Sequence, residues 1–158
     1  MIVKGIIYED IVNYKKCSET IMFPRCSFKC EKECGQQVCQ NSKLAKMPDI
    51  EIFMSTIVEK YISNIYSEAF VFQGLEPFDN WSDLYCLVMA IRSVNIEDDI
   101  VIYTGYREDE ISDKIDRLSK YKNIIIKFGR CIPNQEKHFD EILGVYLASD
   151  NQYAKKIS

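Results

Sequence analysis

Four cysteines, Cys26, Cys30, Cys34 and Cys39, fall within fourteen residues, with gaps of three, three and four between them. Thiols this close are suited to gathering a metal ion or an iron–sulfur cluster. Structural zinc usually sits between two Cys-x-x-Cys knuckles, and the stretch Arg25–Asn41 holds neither a knuckle nor a histidine. The gaps suit a compact loop wrapped around one cubane cluster, with zinc or a chance grouping as the competing reading. The chain carries seven cysteines against a single histidine, so any disulfide scheme leaves at least one thiol unpaired. Cys17, Cys86 and Cys131 stand alone and read as structural. Cys86, in the apolar run Leu84–Met89, is expected to be a buried, inert thiol. His138 reads as a loop histidine with no nucleophile to serve.

The elements that must position those thiols follow from periodicity. Ile50, Phe53, Met54, Ile57, Val58, Tyr61, Ile62 and Ile65 recur at three and four, which predicts an amphipathic helix over 50–66. Ala69–Gln73 is a short, continuously apolar run, the pattern of a strand covered on both faces, and Gly74 and Pro77 stop it. Residues 80–94 predict a second helix, Ile100–Tyr103 a strand, Thr104–Tyr106 a turn, Glu108–Tyr121 a charged helix and Asn123–Lys127 another buried strand. Residues 128–140 read as a loop, Glu141–Leu147 as a last strand and Ser149–Ile157 as a short helix or tail. Lys4–Tyr8 and Thr20–Phe23 are weaker strand candidates.

Alternation at this spacing is the signature of an α/β fold with a mostly parallel sheet, here of about five or six strands in a single domain, 1–158. A closed eight-stranded barrel takes about 250 residues, so a partial, open β/α barrel is the expectation. Ligands of such sheets bind beyond the carboxyl ends of the strands. The cysteine loop (25–45), Gly74–Pro77 and Thr104–Tyr106 each follow a strand end and should share one rim.

Composition narrows the function classes. With 47% hydrophobic and 28% charged residues over 158 positions, the chain has the means to bury a core, which excludes a disordered chain and a disulfide mini-scaffold. A net charge of −4 argues against a nucleic-acid binder. No apolar run approaches the roughly 20 residues of a membrane span, and the first residues lack the pattern of a secretory signal. A cytoplasmic protein is expected, where clustered cysteines point to metal or catalysis.

The residues around the thiols carry a resemblance. Cys26-Ser-Phe-Lys-Cys30 is similar to the opening of the radical SAM cluster loop, and Cys39-Gln-Asn-Ser to the context of that loop's third cysteine. Gly74-Leu-Glu-Pro77 resembles the Gly-Gly-Glu-Pro motif, and Tyr103-Thr-Gly-Tyr106 the strand-end turn, of the activating proteins of anaerobic ribonucleoside-triphosphate reductases. Phe128-Gly-Arg130 and Ser149-Asp-Asn-Gln152 resemble that family's C-terminal elements, Asp10–Tyr14 its N-terminal segment and Thr20–Phe23 the strand entering its cluster loop. The order and spacing extend along nearly the whole chain. The family's loop is Cys-x3-Cys-x2-Cys, whereas eight residues, Cys34 among them, separate Cys30 from Cys39 here. Cys26, Cys30 and Cys39 are the preferred ligand set; Cys26, Cys30 and Cys34 are the alternative.

The resemblance implies a radical SAM-type barrel, a [4Fe-4S] cluster with one open iron, and S-adenosyl-L-methionine cleaved reductively to a 5′-deoxyadenosyl radical. It implies an oxidoreductase that installs a glycyl radical on a glycyl radical enzyme, anaerobic ribonucleotide reductase above all, with flavodoxin or ferredoxin as reductant. Gly74, Leu75, Glu76 and Pro77 would border the cofactor, with Gly74 allowing close backbone approach and Glu76 accepting from the methionine ammonium. Thr104, Tyr106, Asn151 and Gln152 would be rim contacts. A radical SAM enzyme with another target, and a non-catalytic metal or redox module on the same fold, are the alternatives.

Overall fold

The computed structural model describes Met1–Ser158. The chain opens with β1 (Ile2–Val3), β2 (Gly5–Asp10) and β3 (Ser18–Phe23), then enters the cysteine loop through two short helices, α1 (Lys29–Cys34) and α2 (Ser42–Ala45). Neither short helix buries a residue. There follow β4 (Ile50–Glu51), α3 (Met54–Ser63), β5 (Ala69–Gly74), a 3₁₀ turn at Pro77–Asn80, α4 (Trp81–Ser93) and β6 (Asp99–Tyr103). A second 3₁₀ turn (Glu108–Glu110) leads into α5 (Ser112–Leu118) and β7 (Ile124–Phe128). The chain ends with β8 (His138–Asp140), β9 (Val145–Leu147) and β10 (Tyr153–Lys156).

Six strands make one sheet in the order β10-β7-β6-β5-β3-β2. The inner four run parallel, and β2 and β10 close the two edges antiparallel. Strand side chains alternate between faces. Ile21, Phe23, Phe70, Phe72, Ile100, Ile102, Ile124 and Ile126 therefore point to one side, where Ile57, Val58 and Tyr61 of α3, Leu84, Leu87, Val88 and Ile91 of α4, and Leu118 of α5 cover them. The residues between them, Val71, Val101 and Ile125, pack on the other side against Tyr14, Leu143 and Leu147. Both faces are covered, which is why the inner strands read as unbroken apolar runs.

The α/β class, the mostly parallel sheet and the six strands, with α4, β6 and β7 to within a residue of their expected ends, agree with the sequence; the ends of several other elements do not. The helix expected over 50–66 starts only at Met54, because the stretch before it is claimed by the N-terminus. Ile50 and Glu51 pair with Val3 and Ile2, and the Met1 amino group donates to the Ile52 carbonyl at 2.9 Å. Of the expected apolar stripe, Ile57, Val58 and Tyr61 are buried while Ile50, Phe53, Ile62 and Ile65 are exposed. The loop expected over 128–140 contains β8, which forms a hairpin with β9, so only Val145–Leu147 of the strand expected over 141–147 is extended. The tail expected over 149–157 is edge strand β10, paired with β7. Cys86 is exposed: α4 turns Leu84, Leu87 and Val88 inward and the residue between them outward.

One core residue breaks the apolar pattern. Glu19 of β3 is fully buried, and neither carboxylate oxygen has a hydrogen-bond partner. Burial pushes its pKa up to about 7, with Lys60 pulling the other way. Unfolding frees this carboxyl to ionise near its ordinary value, so the folded state binds the extra proton and stability falls as pH rises from about 4.5 to about 7. Glu19→Gln should flatten that slope by on the order of 3 kcal/mol, read as urea midpoints at about pH 5 and about pH 8; an unchanged slope would mean that Glu19 titrates normally.

Candidate metal centre

At the carboxyl ends of the inner strands, one row of alternating positions differs in character from the apolar rows before it. Met22, Gln73, Tyr103 and Lys127 are side-by-side neighbours across β3, β5, β6 and β7, and they form the floor of a cavity of about 620 Å³ on the face away from the helices. The walls are the segments that follow each strand: the cysteine loop after β3, Gly74–Glu76 after β5, Thr104–Gly105 after β6 and Gly129–Cys131 after β7. The expected common rim is present.

Cys26, Cys30 and Cys39 all line this cavity. Cys34 does not: at the end of α1 its thiol lies 3.4 Å from the Gln36 carbonyl and 3.8 Å from that of Glu31. Burial pushes the Cys26 thiol up to about 12, against a hydrogen bond donated to its sulfur by the Phe28 N–H at 3.2 Å. Burial also raises Cys30 and Cys39, and Cys30 is raised further by the nearby Cys39. Metal binding must therefore displace a proton at each thiol.

Two backbone conformations and two hydrogen bonds explain why so polar a loop holds this shape. Phe28, at φ 53, and Gly35, at φ 66, take left-handed conformations at the two ends of α1. The Glu31 carboxylate accepts from the Cys39 backbone N–H at 3.2 Å, tying the second thiol's turn to the third. Asn41 donates to the Gly74 carbonyl at 2.6 Å, fastening the Cys39 side of the loop to the end of β5. The outer side is held by charge. Arg130 donates twice to the Glu110 carboxylate, at 2.8 and 2.7 Å, and lies 3.2 Å from Glu33 of α1, while Lys29 sits 4.5 Å over the Tyr106 ring. The paired guanidinium holds the Glu110 carboxyl down to about 2.

The Gly74–Pro77 segment is built from the inside. Gly74 has φ +95, and a Cβ there would meet Met22 Cα and Phe23 N at 2.8 Å, so the close approach it permits is that of β3 itself. Leu75 N–H donates to the Phe23 carbonyl and Glu76 N–H to that of Arg25. The Glu76 carboxylate is buried and accepts from Phe78 N–H (3.1 Å), Thr104 Oγ1 (2.8 Å) and Gly105 N–H (2.9 Å). Burial raises it to about 7 despite those donors. Pro77 starts the 3₁₀ turn and is buried behind the cavity wall.

The remaining expected rim residues brace the wall. Thr104 both donates to Glu76 and accepts from Tyr106 N–H, and the Tyr106 hydroxyl donates to Asp79. Gln152 lines the cavity with its amide engaged: it accepts from Ala148 and Ser149 N–H and donates to the Gly129 carbonyl at 3.1 Å. Asn151 stands outside the lining and donates to the Arg130 carbonyl at 2.9 Å.

Residues 16–151 match the model of a family described as a 4Fe-4S single cluster domain. The chain belongs to that family. No curated protein and no solved structure matches it. The donor set of this iron–sulfur protein fits a four-iron cluster. Its thiols Cys26, Cys30 and Cys39 open from one loop into one cavity. Each thiolate of a cubane takes a different iron, so thiols spaced around one cavity suit it.

Sequence reasoning missed Lys127 and Cys131, and gave Asn41 only as part of the motif around Cys39. Lys127 carried a signal, as a lone cation ending an apolar strand at the parity of the cavity floor. Its ammonium is buried, donates to the Gly129 carbonyl at 3.0 Å, and is lowered to about 8 by that burial. Two substitutions separate the scaffold from the loop. Gly74→Ala should cost roughly 2–3 kcal/mol of global stability, read by urea unfolding. Asn41→Ala should leave that midpoint within about 1 kcal/mol and instead speed amide exchange in the cysteine loop.

Proposed function

We propose that this iron–sulfur protein is a radical SAM enzyme that installs a glycyl radical on a partner protein, an anaerobic ribonucleotide reductase being the best candidate. The observation that carries the reading is the division of the loop thiols: Cys26, Cys30 and Cys39 share the cavity with Gly74–Glu76 while Cys34 faces away. In this reading Cys26, Cys30 and Cys39 hold the cluster, and the sheet is the open part of a radical SAM-type barrel. A cluster held by these three thiolates would supply one electron and an open iron for binding S-adenosyl-L-methionine and cleaving its sulfonium.

The chain's own residues provide the surroundings. Gly74, Leu75 and Glu76 present the edge of β5 to the cavity, and Thr104 and Gly105 hold the Glu76 carboxylate in place. Lys127 gives the floor a positive charge suited to an anionic occupant. Val12 and Tyr146, 73% and 71% exposed, stand at the cavity's edge as apolar surface that a protein substrate would cover. No helix is long and apolar enough to cross a membrane.

Anaerobic reconstitution with iron and sulfide, followed by dithionite and S-adenosyl-L-methionine, should yield methionine and 5′-deoxyadenosine in equal amounts. Cys26→Ala, Cys30→Ala and Cys39→Ala should each abolish cluster absorbance, and Cys34→Ala should retain it. A cluster without 5′-deoxyadenosine would point to a redox module instead. Adding an anaerobic ribonucleotide reductase should produce a glycyl-radical EPR doublet, and its absence beside intact cofactor cleavage would assign another target.

A further inference from the structure

A fourth thiol faces the same cavity. Cys131 follows β7, across the sheet from the cysteine loop, and it lines the cavity with Cys26, Cys30 and Cys39. It lies near Cys39 on the cavity wall. The loop's own fourth cysteine, Cys34, is the one turned away toward backbone carbonyls. The four thiols that line the cavity are therefore not the four that are clustered in sequence.

An independent feature of the floor points to what occupies the cavity. Lys127 is buried, makes one hydrogen bond, to the Gly129 carbonyl, and forms no ion pair. A buried ammonium without an anionic partner is costly. Glu76, the carboxylate whose charge reaches it, is occupied by Thr104, Phe78 and Gly105. The unanswered cation calls for negative charge in the cavity, and a cluster carried by thiolates supplies it. Each further thiolate adds to the charge that Lys127 offsets.

We propose that Cys131 is a displaceable fourth ligand, closing the iron left open by Cys26, Cys30 and Cys39, with Lys127 as the buried countercharge. This rests on the ligand assignment of the proposed function. As the sulfur–iron bond forms, the Cys131 thiol gives its proton to water and no electron moves. When the amino or carboxylate group of a substrate takes that iron, the bond breaks and the thiolate takes a proton back. The resting protein thus holds a four-thiolate cluster and opens a coordination site only for a ligand able to compete.

The test uses the reconstituted full chain and reads iron, not activity. Mild ferricyanide oxidation strips the iron that lacks a protein ligand and leaves a three-iron cluster with its own EPR signal. The unaltered protein should keep its full iron content and show no three-iron signal, whereas Cys131→Ala should lose one iron per cluster and show it. Cys34→Ser should behave as the unaltered protein. A three-iron signal from the unaltered protein overturns the proposal without any variant, and so does equal resistance in Cys131→Ala. Failure to assemble any cluster strikes the ligand assignment itself, and cluster absorbance reports it before oxidant is added. As a second check, Lys127→Met should shift the cluster's midpoint potential downward, since removing a nearby cation disfavours the reduced, more negative form; an unmoved potential removes Lys127 from the proposal.

Discussion

The buried carboxylate of Glu76 is the constraint on which the site depends. It accepts from its own following turn at Phe78, from the Thr104 hydroxyl and from the Gly105 backbone, while its N–H holds the Arg25 carbonyl at the entrance to the cysteine loop. One residue thereby fixes the segments after three strands relative to one another. Taking a carboxylate out of water is unfavourable, and three donors converging on it offset that cost and specify a single arrangement. Asn80, bonding both the Glu76 and Arg25 carbonyls, repeats the tie one turn later. Without this knot the strands would still end on one line, but the loops beyond them would have no common reference.

The two faces of the sheet divide the labour. On one, three helices and the aromatic and branched rows of β3, β5, β6 and β7 make the larger core. On the other, a smaller cluster around Val71, Val101 and Leu143 gives way toward the strand ends to Gln73, Tyr103 and Lys127. The polar floor thus lies one or two residues beyond apolar packing, so its groups meet a largely dehydrated setting. The raised Cys26 thiol, the raised Glu76 carboxyl and the lowered Lys127 ammonium express that setting in three chemistries.

What the sequence made legible follows the range of the forces involved. Buried strands and helix stripes are written in local periodicity, so the parallel core and the shared rim were readable. Where a partner distant in sequence decides the conformation, the reading failed: Ile50 and Glu51 are extended because the chain's first residues pair with them, and β10 exists because β7 has a free edge. The site shows the same division. Proximity in sequence marked Cys26, Cys30, Cys34 and Cys39 together, and only the resemblance of the flanking residues preferred Cys39 to Cys34; the cavity is lined by Cys39 and not by Cys34. Cys131 reaches the cavity only through the folding of a strand nearly a hundred residues on, and Lys127 only through its parity on that strand. Asn151 and Gln152 were legible as belonging to the site's surroundings, but their amides turn to backbone carbonyls and N–H groups that no pattern of residue types records.

The two short helices of the cysteine loop bury nothing, and the apolar core is complete without them. In a zinc finger the metal is the core, and the empty polypeptide is unfolded. Here the energetic burden lies elsewhere, so synthesis and folding can finish before any iron arrives. Maturation becomes a separate event acting on a finished scaffold.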